Sequence, residues 1–301
     1  MLELRNPRIA IPVVLFAGLL WSFGPLVVRY MDNPQLVPWQ YIFGRGLTIF
    51  ILLNLYLFFE EGKNFYKNYY KIGLSGVIGG SGLGIAMITF IYSITNTSAA
   101  VTLLCLAAMP FFTALLAFLF LREKISLNVW ISIIIATVGI IIMALGNTGE
   151  KSLIGFVFGL TSSIGFSVFS VTLRWRKETP KFTTVAFAGL FCFVFATIMI
   201  LSKDLVFFSS SYNGALFSLH GTLVCFGLIL YSIGSKAIPA AELTLLSLTE
   251  VVGGIFWVWL PLFGINEVPS TNTIIGGFFL FVSIFYYSLI MRWNKRYIAL
   301  N

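Results

Sequence analysis

The sequence predicts an all-α integral membrane protein with ten transmembrane helices arranged as a 5+5 inverted repeat. Three observations support this fold class: the residue composition, a series of long apolar stretches, and an uneven distribution of basic residues between the connectors. Of the 301 residues, 58% are hydrophobic and only 10% are charged. A soluble domain carries roughly 25% charged residues. The chain therefore has too little polar surface to enclose a water-soluble core.

Ten apolar stretches are each long enough to cross the hydrocarbon core of a bilayer, which takes about 20 helical residues. The predicted spans are about 9–28, 37–58, 71–93, 98–121, 127–146, 153–173, 182–202, 213–235, 240–263 and 271–291. Membrane-spanning backbone must be helical or form a closed barrel. Continuous apolar runs of this length exclude barrel strands, which alternate over about 10 residues. Arg5 and Arg8 resemble the start of a signal peptide, but no cleavage site follows, so 9–28 is predicted as the first membrane helix.

The basic residues of the connectors predict the orientation of the chain. Fifteen fall on one side of the predicted membrane: Arg5, Arg8, Lys63, Lys67, Lys71, Arg122, Lys124, Arg174, Arg176, Lys177, Lys181, Lys236, Arg292, Lys295 and Arg296. The other side holds only Arg29, Lys151 and Lys203. Because cytoplasmic connectors are rich in Lys and Arg, both termini are expected in the cytoplasm and the chain in the inner membrane. The net charge of +8 is thereby explained without a nucleic-acid partner.

A weak internal repeat divides the chain into predicted units 1–148 and 149–301. The shared blocks are Tyr92-Ser93-Ile94, Ala99-Ala100, Glu123, Ser126 and Asn128, matched by Tyr231-Ser232-Ile233, Ala240-Ala241, Glu267, Ser270 and Asn272. Each unit contains five predicted spans, an odd number, so the two copies must cross the membrane in opposite senses. Inverted repeats of this kind place a binding site near the bilayer midplane, between the copies.

Several short motifs in a fixed order carry a family resemblance. They are Leu20-Trp21-Ser22-Phe23, Gly44-Arg45-Gly46, Ser98-Ala99-Ala100, Met109-Pro110-Phe111, Leu121-Arg122-Glu123-Lys124, Leu248-Thr249-Glu250-Val251-Val252, Trp257-Val258-Trp259 and Gly264-Ile265-Asn266-Glu267-Val268-Pro269. Together they resemble the drug/metabolite transporter superfamily in its ten-helix EamA-type branch. The resemblance implies alternating-access transport, more often export, of a small organic metabolite such as an amino acid, an amine or a related zwitterion. The sequence departs from the family at Glu250 and Val251, where a proline is usual.

Glu250 is the main candidate for substrate binding or proton coupling. It lies about ten residues into the ninth predicted span, near the bilayer centre. Gly253, Gly254 and Trp257 follow at helical spacing and share its face. Such an acid is expected to hold an ammonium group or exchange a proton, because ionisable groups in spans usually face protein or water. The alternative is an ion pair or hydrogen bond that only positions helices.

The remaining candidate substrate-binding residues are one arginine and several aromatic residues: Arg45, Trp21, Tyr92, Tyr231 and Trp257. Arg45 lies inside the second span and is expected either to stabilise helix packing or to bind a carboxylate. Tyrosine and tryptophan also anchor spans at membrane interfaces. His220, the single histidine, is a second candidate for proton coupling, with a packing role as the alternative.

Other chemistries have little support in the sequence. Cys105, Cys192 and Cys225 have neither metal-site nor redox-motif spacing, and no glycine motif has the context of a nucleotide site. We therefore expect no metal, no cofactor and no enzymatic activity, with a small molecule, membrane lipid and a proton as partners. A lipid flippase and a membrane enzyme acting on lipid intermediates remain as alternatives. Pro25, Pro110 and Pro261 predict hinges or static kinks.

Overall fold

The computed structural model describes residues 7–146, 153–176, 178–268 and 270–298. This part of the chain is helical, as the composition predicts. Its α-helices are α1 (Pro7–Ser22), α2 (Gly24–Arg29), α3 (Pro38–Glu61), α4 (Lys67–Lys71), α5 (Gly73–Asn96), α6 (Ala99–Leu106), α7 (Met109–Leu116), α8 (Leu127–Gly146), α9 (Leu153–Trp175), α10 (Lys181–Ser202), α11 (Ser211–Gly234), α12 (Ala240–Ser247), α13 (Thr249–Trp259) and α14 (Thr271–Ile298). Arg5, Lys151 and Lys177 of the orientation argument and Pro269 of the motifs lie outside the described residues, as does the predicted boundary at 148–149.

Eight helical segments in the described part are long and apolar enough to cross a membrane. They are Ile9–Arg29, Pro38–Asn64, Gly73–Asn96, Ala99–Leu121, Ile154–Trp175, Lys181–Ser202, Ser211–Gly234 and Ala240–Trp259. Two shorter apolar helices, Leu127–Ile142 and Ile274–Tyr287, coincide with the predicted fifth and tenth spans. The chain is thus a multi-pass helical membrane protein, and the count of ten spans stays a prediction.

Large apolar side chains cover much of the outer surface of the bundle. Phe16, Phe59, Phe120 and Phe278 are each more than half exposed. A water-soluble monomer rarely exposes apolar patches of this extent. Lipid is the solvent that accommodates such a surface.

Three of the long segments are each built from two helices. The first breaks between α1 and α2 at Phe23, and the fourth breaks between α6 and α7 at Ala107 and Ala108. Pro25 and Pro110 follow these breaks, and each lacks the N–H that an uninterrupted helix requires. The last long segment, Ala240–Trp259, breaks at Leu248, between α12 and α13, without a proline. Polar residues flank this break, with Ser247 before it and Thr249 and Glu250 after it.

The principal helix contacts join the two predicted repeat units. α1 packs against α11, α3 against α10, α5 against α9, and α8 against α14. The contact of α5 with α9 is close because two glycines meet there. A Cβ added to Gly165 would lie 2.6 Å from the carbonyl oxygen of Gly82. The interior of the bundle is therefore an interface between residues 7–146 and the second half of the chain.

Candidate functional site

A cavity with about 60 Å³ of space accessible to water lies inside the bundle, where the two halves of the chain meet. This volume is well below the roughly 300–1,000 Å³ that is typical of small-molecule sites, so the cavity has to widen before it can hold an organic ligand. The lining residues are Trp21, Arg45, Leu83, Ala86, Met87, Phe90, Leu106, Met109, Ser162, Phe166, His220, Val224, Leu228 and Glu250. The wall is thus mainly apolar, with one acid, one arginine and one histidine among its members.

The break at Leu248 positions Glu250. This residue lies in the first turn of α13, immediately after the break, and it is only 9% exposed. Its carboxylate makes no hydrogen bond or ion pair with any other residue in the described ranges, although it lines the cavity. The N-terminal turn of a helix favours a negative charge because its N–H groups point outward. The structure therefore presents a buried carboxylate that has hydrogen-bonding capacity left for a ligand.

Arg45 is anchored by one hydrogen bond and retains unused donors. Its Nη2 donates to the carbonyl of Met87 over 2.6 Å, whereas its Nε has no hydrogen-bond partner. The guanidinium carbon lies 6.0 Å from the ring centroid of Tyr41. Arg45 is 3% exposed and lines the cavity without forming an ion pair with Glu250. An arginine with free donors suits a planar anion such as a carboxylate.

Trp21 forms an aromatic wall of the cavity. Its indole Nε1 donates to the carbonyl of Val224 over 3.3 Å, and its ring contacts Phe166 edge-on at a centroid distance of 5.5 Å. Tyr231 lies behind it, 5.4 Å away between centroids, fully buried and hydrogen-bonded to Ser170 over 2.6 Å. Tyr231 therefore supports Trp21 without lining the cavity itself.

His220 also lines the cavity, and its orientation is fixed from behind. Its Nδ1 is hydrogen-bonded to the hydroxyl of Tyr41. Gly24 leaves room on the other side of the ring, since a Cβ there would lie 2.7 Å from Nε2 of His220. The break between α1 and α2 thus brings backbone close to the imidazole.

Trp257 and Tyr92 lie away from the cavity. The indole of Trp257 donates to the hydroxyl of Ser22 over 2.8 Å and stacks on Phe23 at 4.8 Å. Tyr92 packs against the ring of Trp39 at 5.1 Å. Of the predicted site residues, the structure brings together Glu250, Arg45, Trp21 and His220, and it places Tyr92, Tyr231 and Trp257 outside the cavity lining.

Two further residues of the lining, Ser162 and Phe166, were not selected from the sequence. Ser162 belongs to a serine-rich face of α9, whose Ser163 donates to the carbonyl of Cys105 and whose Ser167 donates to that of Met109 over 3.2 Å. These bonds satisfy backbone groups next to the break between α6 and α7. The polar face within an apolar stretch was the available signal, because such residues in a span usually point toward protein.

Comparison with known proteins points to one family. Residues 8–145 match the EamA-like transporter family. A Helicobacter pylori protein named an uncharacterized transporter is 29% identical over 164 residues, which are 54% of this chain and 52% of that protein. A Clostridium kluyveri protein with the same description is 30% identical over 113 residues, or 36% of this chain and 35% of that protein.

The chain spans about a third to two thirds of the length of these curated relatives, the largest share being 63% of a second Helicobacter pylori protein, also named an uncharacterized transporter. A solved crystal structure superposes on the chain with a TM-score of 0.68. It covers 94% of this chain and 97% of its own, at 19% sequence identity. At that identity the likeness concerns the fold alone.

Proposed function

We propose that this chain, whose residues 8–145 match the EamA-like transporter family, is a secondary transporter of the drug/metabolite transporter superfamily. Its substrate is a small organic metabolite, most simply an amino acid, an amine or a related zwitterion. The substrate occupies the cavity between the two halves of the chain, and alternating access exposes that cavity to either side of the inner membrane. Export is the direction that we propose.

The observation that carries this proposal is the carboxylate of Glu250. A buried acid without a protein partner is costly inside a membrane, and such residues commonly mark a substrate or ion pathway. In this site the acid faces a cavity lined by Trp21 and Phe166. Aromatic walls suit an organic cation, because the face of each ring carries partial negative charge. Glu250 therefore binds the ammonium group of the substrate or carries the coupled proton.

Arg45 extends the proposal from a cation to a zwitterion. It lines the same cavity as Glu250 with its Nε unbonded. A ligand with a carboxylate at one end and an ammonium group at the other would satisfy both charges. His220, held by Tyr41, is the second candidate for proton coupling.

The arrangement of helices supports a 5+5 inverted repeat as the basis of alternating access. In the predicted repeat, α1, α3, α5 and α8 of the first half correspond to α9, α10, α11 and α14 of the second. The contact of α1 with α11 is therefore equivalent to the contact of α9 with α5, and the contacts of α3 with α10 and of α8 with α14 each join two equivalent helices. Two equivalent units that meet around a site can rock against each other. On this topology both termini lie in the cytoplasm.

The test is uptake into liposomes by the Glu250→Gln variant. A thermal-shift screen across amino acids, amines, nucleobases and organic anions first identifies a ligand, because a ligand present at 100 times its Kd stabilises the folded state by about 2.7 kcal/mol. Glu250→Gln keeps the side-chain volume and should remove both the shift and the uptake. Glu242→Gln is the matched control, since Glu242 is equally buried but does not line the cavity and already accepts a hydrogen bond from Tyr287. Unchanged uptake by Glu250→Gln would remove this acid from the site.

One observation favours a lipid flippase as the second candidate. An apolar cleft of about 430 Å³ lies between α1, α13 and α14, lined by Leu15, Leu19, Val252 and Phe285 among others. A groove of this character is what a lipid tail requires. Fluorescent-lipid movement between leaflets of the same proteoliposomes, measured by dithionite quenching, separates the two functions. Lipid movement that survives Glu250→Gln, with no metabolite uptake by the parent protein, would favour the flippase.

A further inference from the structure

Two ion pairs of the same composition link distant parts of the chain. Nε of Arg29 lies 2.6 Å from Oε1 of Glu267, and Nε of Arg174 lies 2.6 Å from Oε1 of Glu123. Arg29 is the last residue of α2, and Arg174 lies in the last turn of α9. Neither pair takes part in the cavity described above.

Each arginine also binds the end of a neighbouring helix. The guanidinium of Arg29 donates to the carbonyls of Ile94 and Thr97, both over 3.3 Å, where α5 ends. The guanidinium of Arg174 donates to the carbonyls of Ser235 and Ile238, over 3.1 and 2.9 Å, just after α11. Carbonyls at a helix C-terminus lack partners and carry partial negative charge. The guanidinium therefore stays attached to its neighbouring helix whether or not the glutamate is present.

The two pairs lie at opposite ends of the bundle. Arg29, the carbonyls that it binds and Glu267 follow the first, third and ninth membrane segments along the chain. This count takes the shorter helix α8 as the fifth segment. On the same count, Arg174 lies at the end of the sixth segment, the carbonyls that it binds follow the eighth, and Glu123 follows the fourth. Odd-numbered and even-numbered segments of an alternating chain end at opposite membrane faces. One pair therefore closes each end.

Each pair also joins the two halves of the chain. Arg29 and its two carbonyls belong to residues 1–148, whereas Glu267 belongs to the second half. Arg174 and its carbonyls belong to residues 149–301, whereas Glu123 belongs to the first half. The bonds from arginine to the carbonyls lie within one half, whereas the bond from arginine to glutamate crosses between the halves. Separation of the halves at one end therefore breaks the arginine–glutamate bond there.

We propose that Arg29–Glu267 and Arg174–Glu123 are the two gates of the transport cycle, an inference that rests on the proposed transport function. Both pairs are formed in this structure, and Glu250 is 9% exposed. On this proposal the structure is the form in which both gates are closed. Rocking of the halves breaks one pair and retains the other. The cavity then opens at one face only.

The exposure of the pairs suits a gate. The side chains are 18% and 35% exposed in Arg29–Glu267 and 27% and 21% exposed in Arg174–Glu123. A fully buried pair is strongly destabilised when one partner is left alone, whereas a fully exposed pair contributes little. Partial exposure allows water to solvate each charge once the pair opens, so the closed form is favoured without being locked.

The test measures access to the cavity from each membrane face. Ser162→Cys introduces a thiol of similar size into the lining, and a membrane-impermeant maleimide is applied to right-side-out and inside-out vesicles. The parent protein, with its three buried cysteines, gives the background. We expect Glu267→Gln to raise labelling from the face of Arg29 by up to roughly fivefold, the upper end of what an exposed pair contributes, and to lower it from the other face. Glu123→Gln should do the opposite.

Exposed acids provide matched controls at both faces. Glu178→Gln removes a charge from the connector after α9, and Asp204→Asn removes one from the connector after α10. Both controls should label like the parent. If Glu267→Gln and Glu123→Gln changed the labelling from a given face in the same direction, or if neither changed it, the proposal that these pairs are gates would be wrong. Labelling needs no substrate, so failure of the gates is distinguishable from failure of the transport proposal, which the uptake of Glu250→Gln decides.

Discussion

Replacement of Gly227 by alanine should displace Trp21 and close the cavity. A Cβ at Gly227 would lie 2.1 Å from Nε1 of Trp21, 2.6 Å from its Cδ1 and 2.8 Å from its Cε2. Ordinary contact begins at 3.4 Å, so the indole has to move by about 1.3 Å. Trp21 is 5% exposed and is held from other sides by Phe166 and Tyr231. The space left for its movement is the cavity.

The cost of this change follows from two terms. Overpacking of a close-packed interior typically costs 1–3 kcal/mol, and loss of the 3.3 Å bond from Trp21 to the carbonyl of Val224 adds about 1 kcal/mol. Alanine gains about 0.5–1 kcal/mol over glycine within a helix. The net expectation is a destabilisation of about 1–3 kcal/mol, together with loss of ligand binding.

Gly214→Ala is the matched control for Gly227→Ala, because both glycines lie in α11. The nearest atom to a Cβ at Gly214 is Cδ1 of Phe208 at 3.6 Å, which is ordinary contact. Gly214→Ala should therefore retain parental stability or exceed it. The assay compares thermal unfolding in detergent and the shift produced by the ligand from the screen. Equal unfolding temperatures and equal ligand shifts for the two variants would refute the reasoning.

Three further variants examine other contacts of the site. Arg45→Lys keeps the positive charge but loses the planar guanidinium, which can bind a carboxylate through two parallel hydrogen bonds. Uptake of substrates with a carboxylate should therefore fall more than uptake of simple amines, and an equal fall would contradict carboxylate binding. Ser163→Ala should cost about 1 kcal/mol in thermal unfolding by removing the bond from α9 to the carbonyl of Cys105, whereas Thr161→Ala, whose hydroxyl bonds only within α9, should cost less. Tyr41→Phe removes the partner of His220 and should alter the pH profile of proton-coupled uptake; an unaltered profile would exclude His220 from coupling.

The membrane helices and the buried position of Glu250 were accessible from sequence because hydrocarbon imposes its requirement locally. Each stretch must be apolar over the thickness of the bilayer whatever its neighbours are. An acid such as Glu250 stands out against that background. Arg45 and His220 were found in the same way, as rare polar groups inside apolar stretches.

The aromatic residues could not be sorted by the same argument. Trp21 lines the cavity, whereas Trp257 stacks on Phe23 and donates to Ser22. Both occupy similar depths in apolar stretches, and tryptophan is compatible with lipid, protein and interface. Phe166 was overlooked for the same reason, since a phenylalanine within an apolar stretch carries no distinguishing signal.

Sequence alone thus determined that this chain is a helical membrane protein with a rare acid at mid-span, since the exclusion of polar groups from lipid acts on each segment separately. Tertiary structure decided where α12 gives way to α13 and which side chains share a cavity with Glu250. It also decided that Arg29 meets Glu267 and Arg174 meets Glu123. Those contacts join residues far apart in the chain, and their pairing depends on how the helices pack rather than on any local pattern.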